Sequence, residues 1–211
     1  MENVSLHKSH VIAVCGGSCS GKTTMVNKLY SLLGEDNCSV VFQDSYYLGL
    51  SSITNYDHID SIDFDLMRDH IVSLKKGMSI DMPCYDFVTH KRKPQTVKLK
   101  PKPIILVDGI LILASSLLRE CFDLKVFVEC DESVRRERRI TRDVAERGRM
   151  HEEVLHQFDT QVVPAHNQFV EPSKEYADYV VAQASCKEED DEFLGFLENY
   201  CKNVIHHTEA V

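Results

Sequence analysis

Gly16-Gly17-Ser18-Cys19-Ser20-Gly21-Lys22-Thr23 follows the apolar run Val11-Ile12-Ala13-Val14 after Cys15 alone and leads straight into a helical pattern. Strand, loop and helix in that order give the spacing G-x-x-x-x-G-K-[ST] its meaning as a phosphate-binding loop. Gly16 and Gly21 let the backbone turn tightly, so that successive N–H groups point at phosphate oxygens. The helix that opens near Lys22 adds its positive end to the same cavity. Lys22 brings a mobile charge for the β- and γ-phosphates, and Thr23 a hydroxyl for Mg²⁺. The stretch therefore predicts binding of a nucleoside triphosphate through Gly16, Gly17, Ser18, Cys19, Ser20, Gly21, Lys22, Thr23 and Thr24.

The rest of the composition narrows the class. A chain of 211 residues predicts one domain carrying a small insertion. Its 33 acidic against 24 basic residues, a net charge of −9, argue against a nucleic-acid partner. Eight cysteines form no C-x-x-C pair and lie mostly in or beside apolar runs, which predicts free buried thiols in a reducing cytosol. Met1–His10 lacks the apolar core of a secretory signal, and no run approaches the length needed to span a bilayer. The expectation is a cytoplasmic protein with small-molecule partners and no membrane.

Outward from the loop, Thr24–Leu33 reads as a helix stopped by Gly34, and Ser39–Phe42 as a strand that delivers Asp44 at its carboxyl end. In open parallel sheets that end faces the ligand. Asp65 is the expected cap of a helix from Leu66 to Lys76. Ile80–Leu99 reads as an inserted hairpin, with strands Met82–Val88 and Gln95–Leu99 and basic His90–Lys93 between them. Ile104–Val107 is a strand ending in Asp108, the usual place for a carboxylate that reaches Mg²⁺ directly or through water. A strand at Lys125–Val128 precedes a helix at Ser133–Glu146, and Arg135, Arg136, Arg138, Arg139, Arg142, Arg147 and Arg149 crowd into fifteen residues. Such a cluster is either a solvated face or a lid over the moving phosphoryl group, and guanidinium forks in an otherwise acidic chain favour the lid. Arg139, Arg142, Arg147 and Arg149 are its expected working members, with Arg135 and Arg136, at the helix start, as controls that should tolerate alanine. A helix from Glu152 to Val163 ends at Pro164, Tyr179–Val181 is a last strand, and Glu188–Val204 a last helix. Alternating strands and helices predict an α/β fold, a mostly parallel sheet flanked by helices.

Several further stretches bear on the reaction: Gln43-Asp44-Ser45-Tyr46-Tyr47, Asn55-Tyr56-Asp57-His58, Tyr85–Arg92, Arg142–Arg149 and Glu171–Asp178. In this order and spacing the chain resembles the uridine kinase (uridine–cytidine kinase) family of P-loop nucleoside kinases from about Val11 to Val181. The resemblance implies a P-loop kinase fold, Mg²⁺ as cofactor, and transfer of the γ-phosphate of ATP or GTP to the 5′-hydroxyl of uridine or cytidine. It also implies a homo-oligomer, commonly a tetramer. Asp44 matches the family's general base, and Asp57 its ligand for the ribose hydroxyls. Tyr85 and His90 match residues facing the pyrimidine, with Phe87 packing nearby. Arg139, Arg142, Arg147 and Arg149 match the lid, Gln157 matches a further substrate contact, and Thr23 and Asp108 stand at the metal. From the residues alone, Tyr85 and Phe87 could equally be core aromatics, and His90 a solvated loop residue.

The sequence departs from the family at three places. Asp108 stands where the family usually has Glu, the loop from Leu48 to Thr54 is shorter than in bacterial members, and Ala182–Cys186 replaces a segment near the adenine. Two other readings stay open. One is a kinase of the same superfamily acting on nicotinamide riboside, pantothenate or ribulose phosphate; the other is a nucleotide-binding regulator without turnover.

Overall fold

The computed structural model describes residues 9–49, 55–87, 89–182 and 187–209. Five strands form one parallel sheet: β1 (His10–Gly16), β2 (Cys38–Phe42), β5 (Ile104–Gly109), β6 (Leu124–Glu129) and β7 (Tyr179–Ala182), in the order β2-β5-β1-β6-β7. A separate antiparallel pair, β3 (Ile80–Asp86) and β4 (Lys91–Leu99), stands apart from it. Residues alternate across β1: Val11, Ala13 and Cys15 enter the core on one side, and Ile12 and Val14 the core on the other. Helix α2 (Phe64–Lys75) closes the first core with Met67, Ile71 and Leu74. Helix α1 (Lys22–Leu33) and the C-terminal helix Lys187–Glu209 close the second, with Leu29 and Leu197 among the contacts. Burial on both faces is why the central strands read as unbroken apolar runs.

Helix α1 begins at Lys22, two residues earlier than Thr24, and Gly34 caps its end. Helix α2 is capped by Asp63, whose carboxylate accepts from the Leu66 amide at 3.1 Å, and Asp65 sits inside the first turn. The cap reaches three residues forward, and only Asp63 stands at that distance from the first free amide. Lys91–Lys93 lie in β4 and not in the turn: Lys91 pairs with Asp86 and Arg92 with Tyr85, and the strands shift register between Pro83 and Tyr85.

Beyond the short helix α3 (Ser116–Arg119) and β6, helix α4 (Glu132–Arg147) carries the arginines. Helix α5 (His151–Gln157) does not stop at Pro164. It continues through two π-helical turns, Phe158–Val162 and His166–Val170, to a 3₁₀ turn at Lys174–Tyr176. Each wide turn lies just ahead of a proline, Pro164 or Pro172, and the residue before each proline donates to a carbonyl five back. Widening moves the backbone away from the proline ring, so the ring that should break the helix is absorbed.

Cys15, Cys38, Cys121 and Cys201 are buried thiols, and Cys19, Cys84 and Cys130 are partly exposed. Burial pushes Cys15 up to about 11 and Cys38 and Cys201 up to about 12. Among the described residues no helix is long and apolar enough to cross a membrane. Most of the shortened loop and of the altered Ala182–Cys186 segment, residues 50–54 and 183–186, lies outside the described residues.

Candidate active site

Strands β1, β2 and β5 all bring their carboxyl ends to one edge of the sheet, and the cavity sits there. β1 ends at Gly16, where a Cβ would lie 2.4 Å from the Val128 carbonyl oxygen, so no side chain fits. The loop closes at Gly21 with a φ of 101° and hands Lys22 and Thr23 to the first turn of α1. Ser18, Lys22 and Thr23 line a cavity of about 120 Å³, together with Asp44, Asp57, Tyr85, Phe87, His90, Arg139, Arg142, Arg147, Arg149 and Gln157. Residues drawn from six separate stretches of sequence thus share one space.

β5 supplies Asp108. Its Oδ2 accepts from Thr23 Oγ1 at 2.6 Å, whereas its buried Oδ1 has no hydrogen-bond partner among the described residues. Burial pushes the Asp108 carboxyl above its ordinary pKa, against the pull of Lys22 and Thr23. An idle buried carboxylate oxygen beside a hydroxyl fits a magnesium ion that brings its remaining ligands as water and phosphate. Among the described residues no three His, Cys, Asp or Glu side chains gather to hold an ion by themselves. The donor set therefore suits a metal arriving with a nucleotide.

β2 supplies Asp44 through the 3₁₀ turn Gln43–Tyr46. Gln43 is fully buried and its Oε1 accepts from the Leu111 amide at 2.7 Å. That bond requires Gly109, because a Cβ there would lie 2.5 Å from Gln43 Oε1. With Gln43 anchored inward, its neighbour Asp44 is exposed to the cavity.

Across from Asp44 stands Asp57, only 6% exposed, its amide donating to Asn55 Oδ1 at 3.0 Å. Burial raises its carboxyl above the ordinary pKa, and Arg139, 4.0 Å away, opposes the rise. The hairpin forms the wall beside it. Tyr56 stacks on His90 at 4.8 Å and 20°, Tyr47 leans on Tyr85 at 5.1 Å, and Phe87 meets Tyr85 edge-on at 5.4 Å. Tyr85, Phe87 and His90 thus line the cavity, Tyr85 packing against the core as well, and a wider space of about 660 Å³ opens along the same aromatic wall. Arg92 anchors the hairpin by donating to the Tyr46 and Tyr47 carbonyls, both at 2.9 Å, and to Asp63 at 3.1 Å.

The lid arginines converge on a residue that sequence reading passed over. Asp143 is fully buried, with Arg142 at 2.8 Å, Arg139 and Arg147 at 3.5 Å and Arg149 at 3.6 Å. Gly148 ends α4 with a φ of 64°, the left-handed turn that lets Arg147 and Arg149 flank it and point back to the same carboxylate. Arg139 also donates to Ser18 Oγ at 2.9 Å, joining the lid to the phosphate loop. Gln157 accepts from Arg149 at 2.6 Å and from Arg139 at 3.4 Å. Arg136 is the outward member, paired with Asp159 at 2.8 Å, but Arg135 is 2% exposed, which does not suit a control that tolerates alanine. Tyr47, Tyr56 and Arg92 stand inside the quoted stretches without an expected role; Tyr56 adjoins Asp57, so that signal was at hand.

The fold is that of a P-loop kinase. The chain belongs to the phosphoribulokinase / uridine kinase family, whose model matches residues 11–189. It is 43% identical over 179 residues to a uridine kinase of Clostridium perfringens, covering 82% of this chain and 86% of that protein. A uridine kinase of Brevibacillus brevis is 42% identical over 180 residues, covering 82% and 84%. Among solved structures, a phosphoribulokinase from Rhodobacter spheroides superposes with a TM-score of 0.62 at 12% identity, over 83% of this chain and 70% of its own.

Proposed function

We propose that this protein transfers the γ-phosphoryl group of ATP or GTP to the 5′-hydroxyl of uridine, and of cytidine. The observation that carries the reading is the aromatic hairpin wall facing Asp44 and Asp57 across the mouth of the phosphate loop, in a chain closely similar to uridine kinases. The loop amides and Lys22 hold the donor phosphates. Asp57 takes the ribose hydroxyls, and Tyr85 and His90 read the pyrimidine with Phe87 beside them. Asp44 orients the 5′-hydroxyl and takes its proton as the oxygen attacks, a role contributing roughly 10²–10⁴-fold. The guanidiniums of Arg139, Arg142, Arg147 and Arg149 neutralise charge that spreads over the moving phosphoryl oxygens. Thr23 and Asp108 would hold Mg²⁺, which supplies neutralising charge at the β- and γ-phosphates when bound. A coupled assay of ADP release with ATP and uridine tests the proposal; no release above the rate without nucleoside overturns it. The family resemblance further supports a homo-tetramer, which sedimentation velocity would read directly.

Separation of the two substrates gives the hairpin its own test. His90→Ala and Tyr85→Phe are expected to raise the KM for uridine several-fold and to leave the KM for ATP near its original value, since neither residue touches the phosphate loop. Equal changes in both constants would make the hairpin a support of the fold.

Lid arginines acting mainly during transfer should appear in kcat. Arg142→Ala and Arg149→Ala are expected to lower kcat tenfold or more at saturating substrates, with each KM moving only a few-fold. Arg136→Ala, outside the cavity, should stay within about twofold because its pair with Asp159 is solvated. Similar small losses in all three variants would return the cluster to a solvated helix face.

A further inference from the structure

Against the phosphate loop, and not among the described residues that line the cavity, lies a buried charge that the proposed mechanism does not use. Arg135 donates from Nε to the Cys130 carbonyl at 3.1 Å, while its Nη1 has no hydrogen-bond partner among the described residues. The guanidinium lies against the loop itself. A Cβ built on Gly17 would be 2.9 Å from Arg135 Nη1, and 3.0 Å from both Arg135 Cδ and His166 Cε1. A side chain at Gly17 would thus displace the arginine and the histidine that close in on its backbone. The imidazole of His166 stands 3.4 Å from Glu171 through Nε2, and its Nδ1 is likewise without a partner. Burial, and after it the Arg135 charge, pushes His166 down to about 4, so it is neutral near pH 7. Glu171 is itself held by Lys174, which also bonds Glu129 at 2.7 Å. The Arg135 charge thus stands buried against the loop with one hydrogen bond among the described residues, offset only in part by the Glu132 and Glu171 charges, an arrangement that lowers stability unless a further partner compensates.

We infer that Arg135 is a positioning residue for the phosphate donor: it backs the Gly17 turn of the loop and adds a fixed positive charge to the anion cradle from behind. The compensating partner is the polyphosphate on the far side of the loop, whose charge acts through one layer of backbone where solvent screening is weak. Neutral His166 fills the remaining space without adding a second charge. The inference rests on the proposed function only for the identity of the donor as a nucleoside triphosphate.

Calorimetric titration with ATP and Mg²⁺, paired with melting temperatures of the ligand-free protein, tests it. Arg135→Met keeps an apolar stem of similar length and removes the charge. Its ligand-free melting temperature is expected within a few degrees of the original, because apolar replacement of a buried ion is often neutral. ATP should bind about tenfold more weakly, with the KM for uridine unchanged within twofold. Arg135→Lys should recover ATP affinity to within about threefold of the original. Arg135→Gln, neutral and polar, takes the place of the methionine variant if that one does not fold. A folded neutral variant that binds ATP as tightly as the original overturns the inference, as does a lysine variant as weak as the neutral one. Failure of both neutral variants to fold assigns Arg135 to the core and also overturns it. An original protein that binds no ATP would instead overturn the proposed function.

Discussion

Asp44→Asn is expected to lose about a hundredfold or more of kcat, with the KM for ATP nearly unchanged. The turn explains why the effect should be so selective. Gln43 fixes the backbone through Leu111, so a neutral side chain at position 44 leaves the turn, the phosphate loop and the Thr23–Asp108 pair in place. Asparagine keeps the size of the side chain and a hydrogen bond to the acceptor hydroxyl, but it takes no proton. Steady-state kinetics with both substrates varied would check this. If kcat held while the KM for ATP rose, Asp44 would belong to the metal and not to the proton.

Asp143→Ala is expected to be as damaging by a different route. Four guanidiniums share this one buried carboxylate, and among the described residues Arg139 alone of the four has a second carboxylate, Asp57, within 4.0 Å. Removing the anion leaves like charges facing one another. A broken buried pair typically costs 3–5 kcal/mol, and partial solvent access of Arg142, Arg147 and Arg149 places the expected loss near the lower end, about 3 kcal/mol. Loss of a single preorganised donor already lowers kcat about 10²–10³-fold, and here several donors lose their aim together. The expected kcat is therefore down about a thousandfold. Melting temperatures with and without inorganic tripolyphosphate provide a second reading, since a bound polyanion should restore part of the lost stability. A folded Asp143→Ala protein with near-normal kcat would show that the lid is organised by something else.

What the sequence revealed, and what it hid, follows from how local each signal is. The phosphate loop, the strand before it and Asp108 after an apolar run depend on neighbours within a few residues, and the structure has them where the pattern predicts. Helix α4 shows the opposite case. Arg135, Arg139 and Asp143 recur every four residues and form its buried face, so the stripe that should be apolar is charged. Hydrophobic period cannot reveal which side of such a helix faces inward, and nothing local sets Arg135 apart from an arginine that tolerates alanine. The four-residue spacing was nevertheless a usable sign. Pro164 misled for a related reason: its rule assumes a regular α-helix, whereas the chain widens to a π turn just before it. At Asp63 and Asp65 two acids compete for one cap, and only the geometry of the Leu66 amide decides between them.

The grip of Arg92 on the Tyr46 and Tyr47 carbonyls carries a lesson for redesign. Those carbonyls lie at the end of the turn that bears Asp44, so the hairpin proposed to read the nucleobase is bolted to the segment proposed to position the attacking oxygen. Chimeras made by grafting only residues 80–99 from a relative would carry a clamp without its matching seat. An exchange of acceptor preference should therefore move residues 43–47 and 80–99 as one cassette, with position 63 retained as the third point of attachment.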